Sequence, residues 1–67
     1  MIQYTYGEHQ WHDQYQQWTQ NASTETLRYV IQDCREALEA QPHGIKASQY
    51  MDEINYCSMA LHKRATL

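Results

Sequence analysis

The stretch S-T-E-T-L-R-Y-V-I-Q-D-C-R-E-A-L-E-A-Q, residues 23–41, carries the clearest structural signal in the chain. Its apolar side chains follow the i, i+3, i+4, i+7, i+11 spacing of an amphipathic helix, with charged and polar residues opposite: Leu27, Val30, Ile31, Cys34 and Leu38. Asn21 and Ser23 are good N-cap residues just ahead of this pattern. The spacing therefore predicts a helix over 23–41.

A second helix is predicted after a short turn. Pro42 excludes continuation of the first helix, and Gly44 can take a left-handed turn conformation. Residues 45–64 then alternate spacings of three and four at Ala47, Tyr50, Ile54, Cys57, Leu61 and Arg64. Because the connection is short, we expect an antiparallel helical hairpin, which leaves apolar surface for a further helix or subunit to cover.

Residues 8–20, which precede the hairpin, form a third helical candidate. Trp11, Tyr15 and Trp18 recur at i, i+4, i+7, which places them on one helical stripe, and the stretch contains no Gly or Pro. Its other faces hold five Gln, so a Gln-rich disordered arm is the alternative. The aromatic stripe favours the helix.

The first residues alternate between apolar and polar. This period of two runs from Ile2 to Tyr6 and ends at Gly7, which predicts a short strand or extended arm over 1–7. A lone strand must pair with a second copy, lie along a helix or stay mobile. The expected fold is a single, mainly α domain over 1–67: a hairpin, an N-terminal aromatic helix and an extended arm.

Length and charge limit the possible functions. The hydrophobic core of a 67-residue chain contributes about 3–5 kcal/mol to the free energy of unfolding, unless disulfides, metals or oligomerisation add to it. Two Cys and no standard metal-ligand spacing leave homo-oligomerisation as the expected source. Eight acidic and five scattered basic residues argue against nucleic-acid binding. No apolar run suits a membrane span or signal peptide, so a soluble, cytoplasmic chain is expected.

Three groups of reactive side chains have plain structural interpretations. In an antiparallel hairpin, Cys34 and Cys57 are offset by about five residues, beyond the reach of a disulfide, so both are expected to be small buried side chains. His9 and His12 share a helical face, but a zinc site needs four ligands, so they are interpreted as partly exposed imidazoles. Adjacent carboxylates, such as residues 52–53, point about 100° apart on a helix and are expected to be solvated.

The aromatic composition is the strongest indication of binding. All eight aromatic residues are Tyr or Trp, and each polar tip needs a partner when the ring is buried. The 8–20 stripe is a core helix, a protein contact or a stacking platform for a planar ligand, with core packing favoured. If it binds a ligand, the candidate residues are Tyr4, Tyr6, His9, Trp11, His12, Tyr15, Trp18 and Arg28. Arg28 or Arg35 would then hold phosphates.

Residues 26–64 contain T-L-R-Y-V-I-Q-D-C-R-E-A-L-E-A-Q-P and Q-Y-M-D-E-I-N-Y-C-S-M-A-L. In its general residue pattern and the order of its motifs, this stretch resembles small accessory proteins encoded by tailed phages. The resemblance implies a viral anti-defence protein in the host cytoplasm, either an oligomeric sponge for nucleotide immune signals or an inhibitor of a host enzyme. It carries over no functional residue.

The expected function is therefore binding without catalysis, cofactor or metal. The leading hypothesis is sequestration of a nucleotide-derived signalling molecule in a pocket between subunits of a homo-oligomer. The alternative is a protein–protein inhibitor of a host enzyme or defence complex, anchored by aromatic residues.

Overall fold

A computed structural model describes residues 4–65 of the chain and contains three helices. These are α1 (His9–Asn21), α2 (Thr24–Ala40) and α3 (Ala47–Ala65). No strand occurs within residues 4–65. The predicted mainly helical fold is confirmed, and each helix begins and ends within two residues of its predicted bounds.

The junction between α1 and α2 is short and capped. Ala22 donates its N–H to the Trp18 carbonyl 3.0 Å away and ends α1. Ser23 is the N-cap of α2, because its Oγ accepts the Thr26 N–H at 3.1 Å, as the sequence predicted. Asn21 instead belongs to the last turn of α1.

The backbone before α1 differs from the extended arm expected there. Residues 1–3 lie outside the described part of the chain, and residues 5–8 form a turn. Glu8 donates its N–H to the Thr5 carbonyl at 3.1 Å, and the Glu8 carboxylate accepts the Thr5 N–H at 3.0 Å. Gly7 permits this turn with φ of 104°. Local hydrogen bonds thus satisfy backbone groups that a lone strand would leave unpaired.

The connection between α2 and α3 uses its glycine differently from the prediction. Gly44 does not adopt the left-handed conformation; among described residues, Gly7 alone has positive φ. Gly44 instead lies close to Gln41, because a Cβ there would lie 3.1 Å from Gln41 Oε1 and 3.2 Å from Gln41 Cβ, so Gln41 would have to shift slightly to accept a larger residue. The Gly44 N–H also donates to the Gln41 carbonyl at 3.1 Å.

Helices α2 and α3 lie close to each other at both ends of the molecule. Near the end of α3, Arg64 donates to Thr24 Oγ1 at the start of α2. At the opposite end, Ala40 of α2 and Ala47 of α3 line one cleft. Helix α1 lies along α3, where Tyr15 contacts Cys57. Tyr15 of α1 therefore faces Cys57 of α3.

The core is small and shared by all three helices. Its buried members come from α1, α2 and α3 respectively: Trp11 and Tyr15, Leu27 and Ile31, and Cys57. Only Leu27 and Cys57 among the described side chains are fully buried. Burying a leucine stabilises the fold by about 1.5–3 kcal/mol, so Leu27 is a central contributor.

Candidate functional site

Five of the rings predicted to bind a ligand pack together with Tyr56 between α1 and α3. We define the aromatic cluster as Tyr6, Trp11, His12, Tyr15, Trp18 and Tyr56. Trp11 and Tyr15 stack with their centroids 4.9 Å apart at 25°. Tyr6 meets Trp11 edge to face at the same separation, with an interplanar angle of 88°. These are favourable aromatic geometries. The contact with α3 is made by Tyr56, whose ring lies 5.9 Å from that of His12 and 6.0 Å from that of Tyr15.

The polar tips of the cluster are hydrogen bonded to α3. Tyr6 donates its hydroxyl to Asp52 Oδ2 at 2.6 Å, and Tyr15 donates to Glu53 Oε1 at 3.0 Å. His12 Nδ1 lies 2.8 Å from the hydroxyl of Tyr56. Because these groups have partners within the chain, a ligand that used them would have to displace those partners.

The prediction that Asp52 and Glu53 are solvated was wrong. Both are half-buried and accept a tyrosine hydrogen bond. Glu53 also accepts from Gln49 Nε2 at 3.2 Å. Since adjacent helical side chains diverge by about 100°, one carboxylate reaches the turn before α1 and the other reaches α1 itself. The sequence signal was the excess of tyrosine hydroxyls that needed acceptors.

Burial and hydrogen bonding keep four groups near this cluster protonated. The hydrogen bond to Asp52, together with burial, raises the pKa of Tyr6 to about 12. Burial raises the pKa of Tyr15, and its contact with Cys57 adds to the effect. Burial also raises the pKa of Cys34 to about 11 and that of Cys57. Both thiols are therefore weak nucleophiles at neutral pH.

The structure brings together five of the eight predicted ligand-binding residues: Tyr6, Trp11, His12, Tyr15 and Trp18. Tyr4 is exposed and makes no ring contact within the described chain. His9 is also exposed, with Nε2 3.6 Å from Asp13 Oδ2. Arg28 lies apart from the cluster, in a cleft of about 380 Å³ on α2 that it shares with Arg35.

Arg64 has a structural role that the sequence did not reveal. Its Nη2 donates to the carbonyls of Thr19 at 3.0 Å and Ala22 at 2.6 Å, while Nη1 donates to Thr24 Oγ1 at 3.1 Å. The final carbonyls of a helix have no partner within it and carry partial negative charge. One guanidinium therefore caps the end of α1 and ties it to the start of α2.

The cysteines and histidines do not assemble into a reactive centre in the described chain. Cys34 and Cys57 are free and buried, and their predicted burial is confirmed. His9 and His12 approach different partners. No three His, Cys, Asp or Glu side chains of residues 4–65 are grouped so that they could hold a metal ion.

A second surface feature lies where α2 and α3 join. We define the turn cleft as the cavity of about 440 Å³ lined by Ala37, Ala40, Gln41, Gly44, Ile45, Lys46, Ala47 and Tyr50. Its lining is mainly apolar. Ile45 projects fully into solvent, so a large apolar side chain stands at the cleft without intramolecular packing.

No known protein family matches the chain, and no curated protein or solved structure is similar to it. The resemblance of residues 26–64 to phage accessory proteins therefore stays a prediction. Within the described residues, every helix is too short or too polar to cross a lipid bilayer.

Proposed function

We propose that the protein is a non-enzymatic binding protein that acts by protein–protein contact. In this proposal α2 and α3 form an antiparallel hairpin, α1 packs on it, and the chain works as a homo-oligomer in the cytoplasm. The observation that carries the proposal is the turn cleft with Ile45 fully exposed beside it. Apolar side chains that enter a partner's pocket supply much of the affinity of protein interfaces.

The state of the aromatic cluster favours this function over small-molecule capture. Trp11 and Tyr15 are buried, and the tips of Tyr6, His12 and Tyr15 are hydrogen bonded inside the chain. A nucleotide that bound there would have to break these intramolecular hydrogen bonds before it could form its own. The cluster is therefore assigned to stability.

The ionisable groups support a function without catalysis. Both thiols are kept protonated by burial, and the carboxylates of Asp52 and Glu53 accept hydrogen bonds from tyrosines. A nucleophile or general base needs a pKa near the working pH and a free approach to substrate. The raised pKa values of Cys34 and Cys57 do not meet the first condition, and the tyrosine hydrogen bonds of Asp52 and Glu53 do not leave those carboxylates a free approach.

The resemblance to phage accessory proteins suggests the class of partner. We propose a bacterial enzyme or defence complex, which the protein inhibits by occupying one of its surfaces. The net charge of −3 favours a partner with a basic rim around an apolar pocket.

A matched pair of variants tests the proposal. The tagged chain is used to isolate a stoichiometric partner from bacterial lysate, and binding of the purified partner is then measured for Ile45→Asp and Tyr29→Asp. Both substitutions replace an exposed apolar side chain, but only Ile45 lies at the turn cleft. Loss of binding with Ile45→Asp alone is expected. Equal binding by all three chains would contradict the assigned surface.

A second candidate function is sequestration of a nucleotide-derived signalling molecule in a pocket between subunits. It is favoured by Arg28 and Arg35, whose side chains line one cleft and suit bidentate contacts with phosphate. Calorimetry with cyclic dinucleotides and ADP-ribose derivatives tests this candidate. Binding that is lost in Arg28→Gln would favour it, and absence of heat across the panel would exclude those ligands.

A further inference from the structure

The outward face of α3 carries an exposed stripe without charged residues. We define the α3 stripe as Ser48, Met51, Asn55, Met59 and His62, which are all exposed. Met51 and Met59 remain 53% and 58% exposed. At 100° per residue the stripe covers an arc of about 80°, opposite the buried Cys57, and it extends for about 21 Å. Its spacing of three and four is that of a helix-pairing seam.

The residues of the α3 stripe are arranged symmetrically about its centre, so the stripe can pair with an antiparallel copy of itself. Asn55 lies at its centre, and Met51 and Met59 lie equally far before and after it. Ser48 and His62 form the next symmetric pair. A two-fold axis beside Asn55 therefore sets methionine against methionine, serine against histidine, and the amide against its own copy.

We propose that a second copy of this chain docks on the α3 stripe, with the two α3 helices antiparallel and the two Asn55 side chains meeting at the axis. An amide both donates and accepts, so two copies of Asn55 can satisfy each other. Asn55 is also the only amide of the stripe and lies between its two methionines, so pairing with its own copy fixes the register of the two helices. The inference deepens the self-association part of the proposed function and does not involve the turn cleft.

Charge favours this arrangement for a chain of net charge −3. The α3 stripe contains no Asp, Glu, Lys or Arg, so close contact opposes no like charges. Asp52 and Lys63 both lie beside the same long edge of the α3 stripe. In the antiparallel pair, Asp52 of one copy is displaced along the axis by about 7.5 Å from Lys63 of the other, and by about 9 Å from the other Asp52. Asp52 is therefore nearer to the oppositely charged Lys63 of the other copy than to the other Asp52.

The exposed area of the chain also suits a partner of its own kind. The chain exposes 5168 Å². A compact monomer of 8.0 kDa exposes about 4,450 Å². The excess of about 700 Å² is close to the roughly 800 Å² that each partner buries in a stable interface.

Charge substitutions in the α3 stripe test the proposal by sedimentation equilibrium of the full chain. The unaltered chain is expected to dimerise at micromolar to millimolar concentrations. Met51→Lys and Met59→Glu should each raise the dimer dissociation constant about 100-fold, because each change occurs twice in the dimer. Tyr29→Lys, an exposed site on α2, is the matched control and should leave it unchanged.

The double variant distinguishes the direction of pairing. In the antiparallel dimer the introduced lysine faces the introduced glutamate, so combining Met51→Lys with Met59→Glu should restore dimerisation. In a parallel dimer the same variant would oppose like charges and stay monomeric. An unaltered chain that remains monomeric, a double variant that stays dissociated, or dissociation caused by Tyr29→Lys but not by Met51→Lys would overturn the proposal.

A cross-link gives a second measurement that does not depend on charge. Asn55→Cys places a thiol at the axis, and mild oxidation should convert most of the protein to a disulfide-linked dimer. The native thiols at Cys34 and Cys57 are buried, and Gln32→Cys on exposed α2 is the control. Cross-linking of Gln32→Cys to the same extent would overturn the proposal. Because Ile45 is intact in all these variants, failure here leaves the turn cleft function separately testable.

Discussion

The hydroxyl of Tyr6 lies 2.6 Å from Asp52 Oδ2, in a hydrogen bond that spans 46 residues of sequence. Tyr6 precedes α1, whereas Asp52 lies in the second turn of α3. The bond joins the turn before α1 to the helix on which α1 packs. Together with the bond from Tyr15 to Glu53, it fixes the position of α1 along α3.

Removing the Tyr6 hydroxyl should weaken the fold measurably. Tyr6→Phe keeps the ring against Trp11 but loses the bond to Asp52, so we expect a decrease of about 1 kcal/mol in the free energy of unfolding. Urea denaturation followed by circular dichroism measures the change. Tyr4→Phe is the matched control, because Tyr4 is exposed and should contribute nothing. Equal losses from both variants would contradict the assigned bond.

The protein should lose stability in alkaline solution. A group whose pKa is higher in the folded chain stabilises the fold while it is protonated, and this contribution is lost as pH rises above its unfolded value. The ordinary pKa values are 9.0 for the thiols and 10.0 for tyrosine, while those of Cys34 and Tyr6 rise to about 11 and about 12. The free energy of unfolding should therefore fall from about pH 9 upward.

Denaturation midpoints between neutral pH and pH 12 measure this decline, and phenolate absorbance follows the tyrosines. Tyr6→Phe should reduce the part of the decline that lies above pH 10, since its phenol no longer titrates. A decline of identical size with and without Tyr6 would show that its pKa does not differ between the folded and unfolded chain.

The helices were predictable because local rules determine them. The spacing of Leu27, Ile31 and Cys34 identifies a buried face, and Ser23 supplies a cap whose preference does not depend on distant residues. The turn at residues 5–8 was not predictable by the same rules. Alternation suits a strand only when a partner strand exists, and the acceptor that Thr5 uses is the side chain of Glu8.

The composition of the aromatic cluster could be predicted, but its bonding could not. Five of its six members came from the i, i+4, i+7 stripe and its neighbours, whereas Tyr56 was missed. The acceptors at Asp52 and Glu53 depend on the rotation of α3 against α1, which no local pattern encodes. The same holds for Arg64, whose partners lie 40 to 45 residues away.

The core should depend strongly on one leucine. Leu27→Ala removes a fully buried side chain and leaves a cavity, so we expect a loss of about 3 kcal/mol in the free energy of unfolding. Leu38→Ala makes the same chemical change at a half-buried site of α2 and should cost less. Thermal denaturation compares the two variants. A larger loss from Leu38→Ala would show that the core lies nearer the turn cleft than the structure places it.

Arg64 should stabilise the end of α1 through its charge and its geometry together. Arg64→Ala leaves the carbonyls of Thr19 and Ala22 without their donor, so we expect a loss of about 2 kcal/mol. Arg64→Lys keeps the charge but cannot reach three acceptors in one plane, and should recover only part of the loss. Arg35→Ala, an exposed arginine of α2, is the control.

Hydrogen exchange identifies where the Arg64 variant loosens the fold. Faster exchange of the backbone amides around the end of α1 and the start of α2 is expected in Arg64→Ala, because the guanidinium joins these two ends. Amides of α2 near Ala37 should change less, since they lie at the opposite end of the helix. A uniform increase across all three helices would instead mean that Arg64 supports global stability without capping α1 in particular.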